Sequence, residues 1–394
     1  MNIPGELLYL YDIGQGHLLK SFFKWPLILQ KQFIKQIGQF NVAFFKEQQA
    51  SIHYKRSVPI LQNPSTVIKR TNTLYELGKS MLQEKKVGLI LLSGGQGSRL
   101  GFPGPKGCMP LPKLQNRTLF SILLNKCSSL QKTMELELPI AIMTSSHNDF
   151  HIHAYLKEKD FFSLMKEQIT IFQQQSFPLL NREENWYIQS PGLLGQGPGG
   201  NGAAFGEGAA LLRKWKEEGI RWVQVIPIDN PLSIPFDPYL LGCHVWNESD
   251  LVVLTIQRAF DITDVGILGE NNGKIYVQEY IDAKTQTDLL FAYIGIFSCS
   301  IDLALQWSNS LPWHAVKKKG FIYNQKGHQD IQEIWKIEKF LFDIFSLSKK
   351  YSLLLGKREY YFAPIKSLQG RYGIELAQNY FLRYENFAKE PQIL

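Results

Sequence analysis

Apolar residues recur three or four apart through the first part of the chain, at Leu27-Ile28-Leu29, Phe33-Ile34 and Phe44-Phe45. That spacing is the period of an amphipathic helix. Pro59 and Pro64 interrupt it, and a further helix is predicted from Thr71 to Gln83. The pattern then changes from a period to short runs. Val87–Leu92, Leu138–Met143, Ile169–Phe172, Trp222–Ile228 and Leu251–Ile256 are apolar stretches of strand length, as in a sheet buried on both faces. Helices are predicted between them, from Thr118 to Leu130, with Thr118 as N-cap, and from Ala203 to Glu218. Apolar strands alternating with helices predict an α/β layered fold with a mainly parallel sheet. In such sheets ligands gather beyond the carboxyl ends of the strands.

From about Ser348 the elements shorten. Tyr351–Leu355 and Glu359–Ala363 read as aromatic-rich strands joined by Gly356-Lys357, and Gly373–Phe387 reads as a terminal helix. The chain is therefore divided into a helical N-terminal region (1–85), a central catalytic domain (86–347) and a small C-terminal unit (348–394).

Composition narrows the function classes. A length of 394 residues allows two or three units, and 44% hydrophobic with 20% charged residues is ordinary for a folded protein. The net charge of +8 raises a nucleic-acid partner. The basic residues are dispersed among acids, however, and the densest run is only Lys317-Lys318-Lys319. No nucleic-acid partner is expected, and the charge suits an enzyme that gathers phosphates. Cys108, Cys127, Cys243 and Cys299 form no CxxC pair and read as reduced thiols of a cytoplasmic protein. Glu6 and Asp12 stand where a signal peptide would be basic and then apolar. No run reaches the ~20 apolar residues of a membrane helix, so no membrane partner is expected.

The most informative segment follows the first apolar run: Ser93-Gly94-Gly95-Gln96-Gly97-Ser98-Arg99-Leu100-Gly101, then Gly104-Pro105-Lys106. Glycines let backbone N–H groups approach phosphate oxygens, and Arg99 and Lys106 add positive charge. Two common phosphate loops are excluded. Gly78-Lys79-Ser80 ends like a Walker A loop but has Thr73 at the first glycine position, and Leu100 occupies the third glycine position of a GxGxxG fingerprint.

This loop resembles the signature of the UDP-sugar pyrophosphorylases, and within them is most similar to the UDP-N-acetylglucosamine pyrophosphorylases. Ser98 stands where the usual form has Thr. Further blocks follow in the family's order: Ile142–Ser145, Phe172-Gln173-Gln174, Gly199–Gly202, Ile228-Asp229-Asn230, Asp264-Val265-Gly266, Gln278-Glu279-Tyr280, Glu338–Phe345 and Ala363–Lys366. The resemblance covers Val87 to Lys366. It implies a Rossmann-like nucleotidyltransferase fold of the GT-A kind, and joining of UTP and a sugar-1-phosphate with release of pyrophosphate.

It also implies roles for particular residues. Arg99, Lys106 and Lys366 would neutralise the phosphates, and Asp229, at the end of an apolar strand, would bind Mg²⁺. Gly94, Gly95, Gln96, Gly97, Ser98 and Gln174 would hold the nucleotide, together with Gly200 and Asn201 near the sugar. Gly266, Glu279, Phe340 and Phe342 would line the sugar side, although an aromatic pair two apart also fits plain core. One departure matters. Phe291-Ala292-Tyr293-Ile294-Gly295-Ile296 replaces the family's NAGN-like element and loses both asparagines. N-acetylglucosamine-1-phosphate is the leading substrate, with glucose-1-phosphate or a broader range as the alternative. A UDP-sugar sensor without catalysis is a third reading. The sequence leaves the oligomeric state open.

Overall fold

A computed structural model describes residues 4–54, 59–258, 265–278, 288–308, 310–323 and 328–387. The chain divides into two compact units. The smaller comprises Met1–Ser57, Gln175–Gly202 and Pro312–Phe340. The larger comprises Val58–Gln174, Ala203–Leu311 and Leu341–Leu394.

In the smaller unit the predicted helical period appears as α1 (Leu27–Ile37) and α2 (Val42–His53). The Asn41 side chain caps α2 by accepting from Phe44 N–H. Phe22, Phe33, Phe45, Leu180 and Trp186 form the core. Within it the Trp186 indole N–H donates to Gln48 Oε1 at 2.7 Å, and Gln48 Nε2 donates to Pro178 O at 2.8 Å. These bonds explain a glutamine with no exposure among aromatic rings. A long hairpin pairs His314–Tyr323 with Gln329–Glu338. On it the basic run is answered by acids: Lys318 Nζ lies 2.7 Å from Glu338, and Lys317 Nζ lies 4.0 Å from Glu333.

The larger unit is built on a mixed sheet of nine strands among the described residues. These are β1 (Val87–Leu92), β2 (Ile140–Ser145), β3 (Ile169–Gln174), β4 (Trp222–Pro227), β5 (Leu251–Gln257), β6 (Gly266–Asn271), β7 (Lys274–Gln278), β8 (Phe291–Ser300) and β9 (Tyr351–Gly356). The order is β7-β6-β8-β4-β1-β2-β3, with β5 pairing β8 and β9. β4, β1, β2 and β3 run parallel, whereas β8 is antiparallel to β4, β5 and β6. The apolar runs account for this placement, since β1 and β2 are buried almost throughout. The helices used below are α3 (Asn72–Gln83), α4 (Leu119–Met134), α5 (Asp149–Glu158), α6 (Ala209–Glu217), α7 (Pro238–Asn247) and α8 (Ile374–Phe387). Thr118 caps α4 as predicted, in a reciprocal capping box with Ser121.

The units cut across the divisions drawn from sequence order. Helix α3 lies before residue 86 but packs on α7, where a Cβ on Gly78 would run into Pro238 O. Strand β9 lies after residue 347 but pairs in parallel with β5 inside the central sheet. Segments distant in sequence thus complete one core. Two element predictions also shift. Glu359–Ala363 is not a strand: Arg358–Tyr361 forms a single helical turn, and Tyr361 O and Ala363 N–H bond the Asn230 side chain instead of a ladder partner. The helix predicted over 203–218 is split into Ala203–Gly206 and α6.

Candidate active site

The glycine-rich loop leaves β1 at its carboxyl end and folds back on itself. Gly97 N–H donates to Gly104 O at 2.8 Å, Phe102 N–H to Gly97 O at 3.1 Å, and Lys106 N–H to Gly95 O at 3.2 Å. Two positions need glycine for space. A Cβ on Gly94 would run into the Gln174 amide, and one on Gly97 would lie 2.9 Å from the Phe102 ring.

The loop carbonyls are taken up from the neighbouring strand. Asn148 Nδ2 donates to Ser93 O at 2.8 Å and Gly95 O at 3.3 Å, and Ser145 Oγ donates to Gly94 O at 2.9 Å. Asn148 is itself held, its Oδ1 accepting from Ser145 N–H at 2.8 Å. Among the described residues, nothing accepts from the main-chain N–H groups of Gly94, Gly95, Gln96 or Ser98. A run of open amides on a fixed loop is an anion cradle. Ser98 and Arg99 lie exposed on the helical turn Ser98–Leu100, and Arg99 makes no ion pair among the described residues. Gln96 Nε2 donates to His147 O at 2.8 Å. Gln174 closes β3 opposite Ser145, buried, with no hydrogen bond to its amide among the described residues.

Asp229 follows β4, whose pairing with β1 is continued by Ile228 N–H donating to Leu92 O at 3.0 Å. The Asp229 carboxylate lies 3.7 Å from Lys106 Nζ, and both side chains are about four-fifths buried, at 19% and 18% exposure. Asp229 O accepts from Ile365 N–H at 2.9 Å, which brings Lys366 alongside. Asn230 fastens the same junction. Its Nδ2 donates to Tyr361 O at 2.6 Å, and its Oδ1 accepts from Ala363 N–H at 3.1 Å and Leu232 N–H at 3.2 Å. Lys366 Nζ sits 5.3 Å from the centre of the Tyr372 ring. The loop, Gln174, Asp229 and the Ile365 backbone that leads into Lys366 thus share the carboxyl edge of the parallel strands. Among the described residues no cluster of three metal-ligating side chains occurs. Asp229 stands as a single carboxylate.

The sugar-side residues are distributed differently. Gly266 lies opposite Tyr293 in the β6–β8 ladder, and Phe342, 8% exposed, meets the Tyr293 ring edge-on at 6.4 Å. Gly200 and Asn201 belong to the smaller unit, where Gly200 has φ 92° and Gly202 N–H donates to Lys339 O at 2.8 Å. Phe340 also belongs there, its ring 4.8 Å from that of His314. Glu279 lies outside the described residues. Sequence pattern alone gives neither Asn148 nor Asn230 a role of its own. A buried asparagine three residues after a strand-end serine is a turn signal, but its partners are known only from the fold.

The profile of the UTP–glucose-1-phosphate uridylyltransferase family matches residues 31–298, more than half of the chain. The chain is 29% identical over 331 residues to the UDP-N-acetylglucosamine pyrophosphorylase of Saccharomyces cerevisiae, spanning 77% of this chain and 69% of that one. It is 25% identical to a probable UDP-N-acetylglucosamine pyrophosphorylase of Schizosaccharomyces pombe, spanning 91% and 83%. Among solved structures, the uridine diphosphate N-acetylglucosamine pyrophosphorylase of Trypanosoma brucei matches with a TM-score of 0.83 at 23% identity, covering 96% of this chain and 85% of that one. That likeness confirms the expected fold. On the family match, the chain belongs to the UTP–glucose-1-phosphate uridylyltransferase family.

Proposed function

We propose that this chain is the uridylyltransferase that joins UTP to N-acetylglucosamine-1-phosphate, forming the UDP-sugar and pyrophosphate. The observation that carries the reading is the meeting of the open-amide loop, Lys106 and Asp229 at one strand edge, with the chain leading into Lys366 bonded to the Asp229 backbone. An oxygen of the sugar phosphate attacks the α-phosphorus of UTP, and the bond from that phosphorus to the bridging β-phosphate oxygen breaks. A phosphate monoester is already anionic at neutral pH, so the reaction needs no side-chain base. Its barrier comes from bringing anions together, and positioning with charge neutralisation lowers it.

The loop amides cradle the triphosphate, and Arg99 draws the pyrophosphate away. Lys106 and Lys366 offset the charge around the α-phosphate. Gln174, buried with an amide free of protein partners among the described residues, offers a donor and an acceptor to the uracil edge. Asp229 fits a hydrated Mg²⁺, which takes one or two carboxylates and completes its shell with water and phosphate oxygens. When bound there, the ion would supply Lewis-acid stabilisation to the phosphate oxygens.

The acetylated sugar is favoured because the Saccharomyces and Schizosaccharomyces relatives carry that activity in their names. Glucose-1-phosphate is the second reading, and the altered Phe291–Ile296 segment, which lacks the family's two asparagines, favours it. The four free thiols agree with a cytoplasmic setting. No described helix is long and apolar enough to cross a membrane.

The test is pyrophosphate release with UTP, Mg²⁺ and either sugar phosphate, with Asp229→Ala as control. Turnover that prefers the acetylated sugar and is lost in the variant supports the reading. Preference for glucose-1-phosphate selects the second reading. Tight UDP-sugar binding without turnover on either substrate would make the protein a sensor and end the catalytic claim.

A further inference from the structure

Half-buried Lys126 lies in the middle of α4, and its ammonium reaches the chain that follows Asp229. It donates to Pro231 O at 2.8 Å and to Ser233 O at 2.9 Å. Two rings of α8 close over the charge, Tyr384 at 4.9 Å and Phe381 at 5.5 Å. The fork of Arg117 on Glu385, at 2.6 and 2.7 Å, ties α8 to the start of α4. Burying an ammonium is costly, and a methionine stem would fill the same space without that cost. The task that distinguishes the lysine is holding two carbonyls.

Both carbonyls belong to one tight turn, closed by Ser233 N–H donating to Asn230 O at 3.1 Å. Pro231 within it has no N–H to give. Asn230 anchors this turn to Tyr361 and Ala363 on one side, and Lys126 anchors it to α4 on another. Farther along, Gln224 Nε2 donates to Ile234 O at 3.0 Å. Asp229 immediately precedes the turn and shares its backbone.

We propose that Lys126 is a positioning residue that fixes the turn after Asp229 and so holds this carboxylate in register with the reacting phosphates. The proposal rests on the assignment of Asp229 as the metal-binding carboxylate. Reactions catalysed by positioning are sensitive to displacements of about 1 Å, which can cost about a hundredfold. Lysine binds no substrate in this scheme; it acts through the turn.

The test uses the full chain carrying Lys126→Met, Lys126→Gln or Lys126→Arg, with Asp229→Ala as reference. kcat and KM for UTP are measured alongside Mn²⁺ binding in the presence of UTP, read from the electron paramagnetic resonance of free Mn²⁺. Lys126→Met is expected to lower kcat about tenfold and to weaken Mn²⁺ binding similarly, while KM for UTP stays within about twofold. Arginine keeps charge and donors, so Lys126→Arg should recover most of the loss, with Lys126→Gln between them. If the methionine variant does not fold, the glutamine and arginine pair gives the same ordering. Values of kcat and Mn²⁺ binding within about twofold of wild type would overturn the proposal. So would a loss that arginine does not rescue. Should Asp229→Ala itself retain full turnover, the assignment of Asp229 fails first, and that outcome is distinct from either.

Discussion

Within the larger unit, the proposed phosphate edge and the proposed sugar side are held in place by different means. At the phosphate edge the backbone of the loop and of the junction after Asp229 is pinned by polar bonds. Asn148 and Ser145 hold the loop carbonyls, Asn230 holds the Tyr361–Ala363 segment, and Ile365 N–H meets Asp229 O. On the sugar side, Gly266, Tyr293 and Phe342 are located by strand register and ring contacts. The difference follows from the chemistry. Moving charge at phosphorus demands fixed donors and cations, and directional bonds fix the backbone that carries them. A sugar can be enclosed by interchangeable side chains, so the Phe291–Ile296 strand can lack the family's asparagines without disturbing the phosphate edge. If the comparison is right, substitutions at the two places will differ in kind as well as in size.

The largest effects should come from the charged pair. Asp229→Ala and Lys106→Ala are each expected to lower kcat by about 10² to 10³ while the fold is retained. Pyrophosphate release under saturating substrates checks this, with circular dichroism for folding. A variant keeping a tenth or more of the activity, about 1.4 kcal/mol or less in barrier, would mean that the polar edge is scaffold and not machinery.

Next come two neighbouring glycines that sharpen the comparison within the edge itself. A Cβ on Gly94 would strike the Gln174 amide, whereas one on Gly95 would meet nothing within 4 Å. Gly94→Ala should therefore raise KM for UTP about tenfold and lower the Tm of the ligand-free protein, whereas Gly95→Ala should leave that Tm within about 1 °C. Equal losses of Tm at both positions would show that loop flexibility, and not the fit to Gln174, is what the glycines provide in the free chain.

The sugar side should respond through preference. Tyr293→Asn introduces an amide and opens space beside Phe342, and should shift the ratio of kcat/KM between the two sugar phosphates by about tenfold. Its kcat with the better substrate should remain near wild type. A fall in kcat with both substrates and no change in ratio would place Tyr293 in the structural core.

The same contrast governs how much of the molecule is legible in the chain. The loop is legible because glycines, an arginine and a Pro-Lys pair directly after an apolar run suit a phosphate cradle better than a plain turn. Asp229 is legible because a carboxylate ends a buried strand. The apolar runs likewise mark the strands of the parallel half, and Thr118 marks the start of α4. Asn148, the anchoring role of Asn230 and the buried ammonium of Lys126 stay hidden. Each is an ordinary polar residue until the fold supplies partners 53, 131 and 105 residues away. The reach of β9 and α3 into the central unit is hidden for the same reason, since order along the chain does not encode adjacency. Glu279, expected on the sugar side, lies outside the described residues.

The smallest effect tests the cost of fastening the phosphate edge with buried charge. Desolvation lowers the Lys126 pKa from 10.5 to about 7, with Cys127 and Glu385 acting in the opposite direction. Arg117, which pairs Glu385, and the Tyr384 phenol are further ionisable groups facing it from α8 and the start of α4. An unfolded chain would keep this proton up to about pH 10.5, while the folded chain releases it near 7. Between those values unfolding takes up a proton, so this group's contribution makes stability rise with pH across that window. Below pH 7 the folded state carries the whole cost of the buried charge. Lys126→Met removes the titration, whatever else it changes in packing. The difference in Tm, variant minus wild type, should accordingly be more positive at pH 6 than at pH 9, by about 2 °C or more. Groups common to both proteins cancel in that difference. A difference that does not vary between the two pH values would mean the ammonium is solvated in the folded state, and the phosphate edge would then be no more costly to hold than the sugar side.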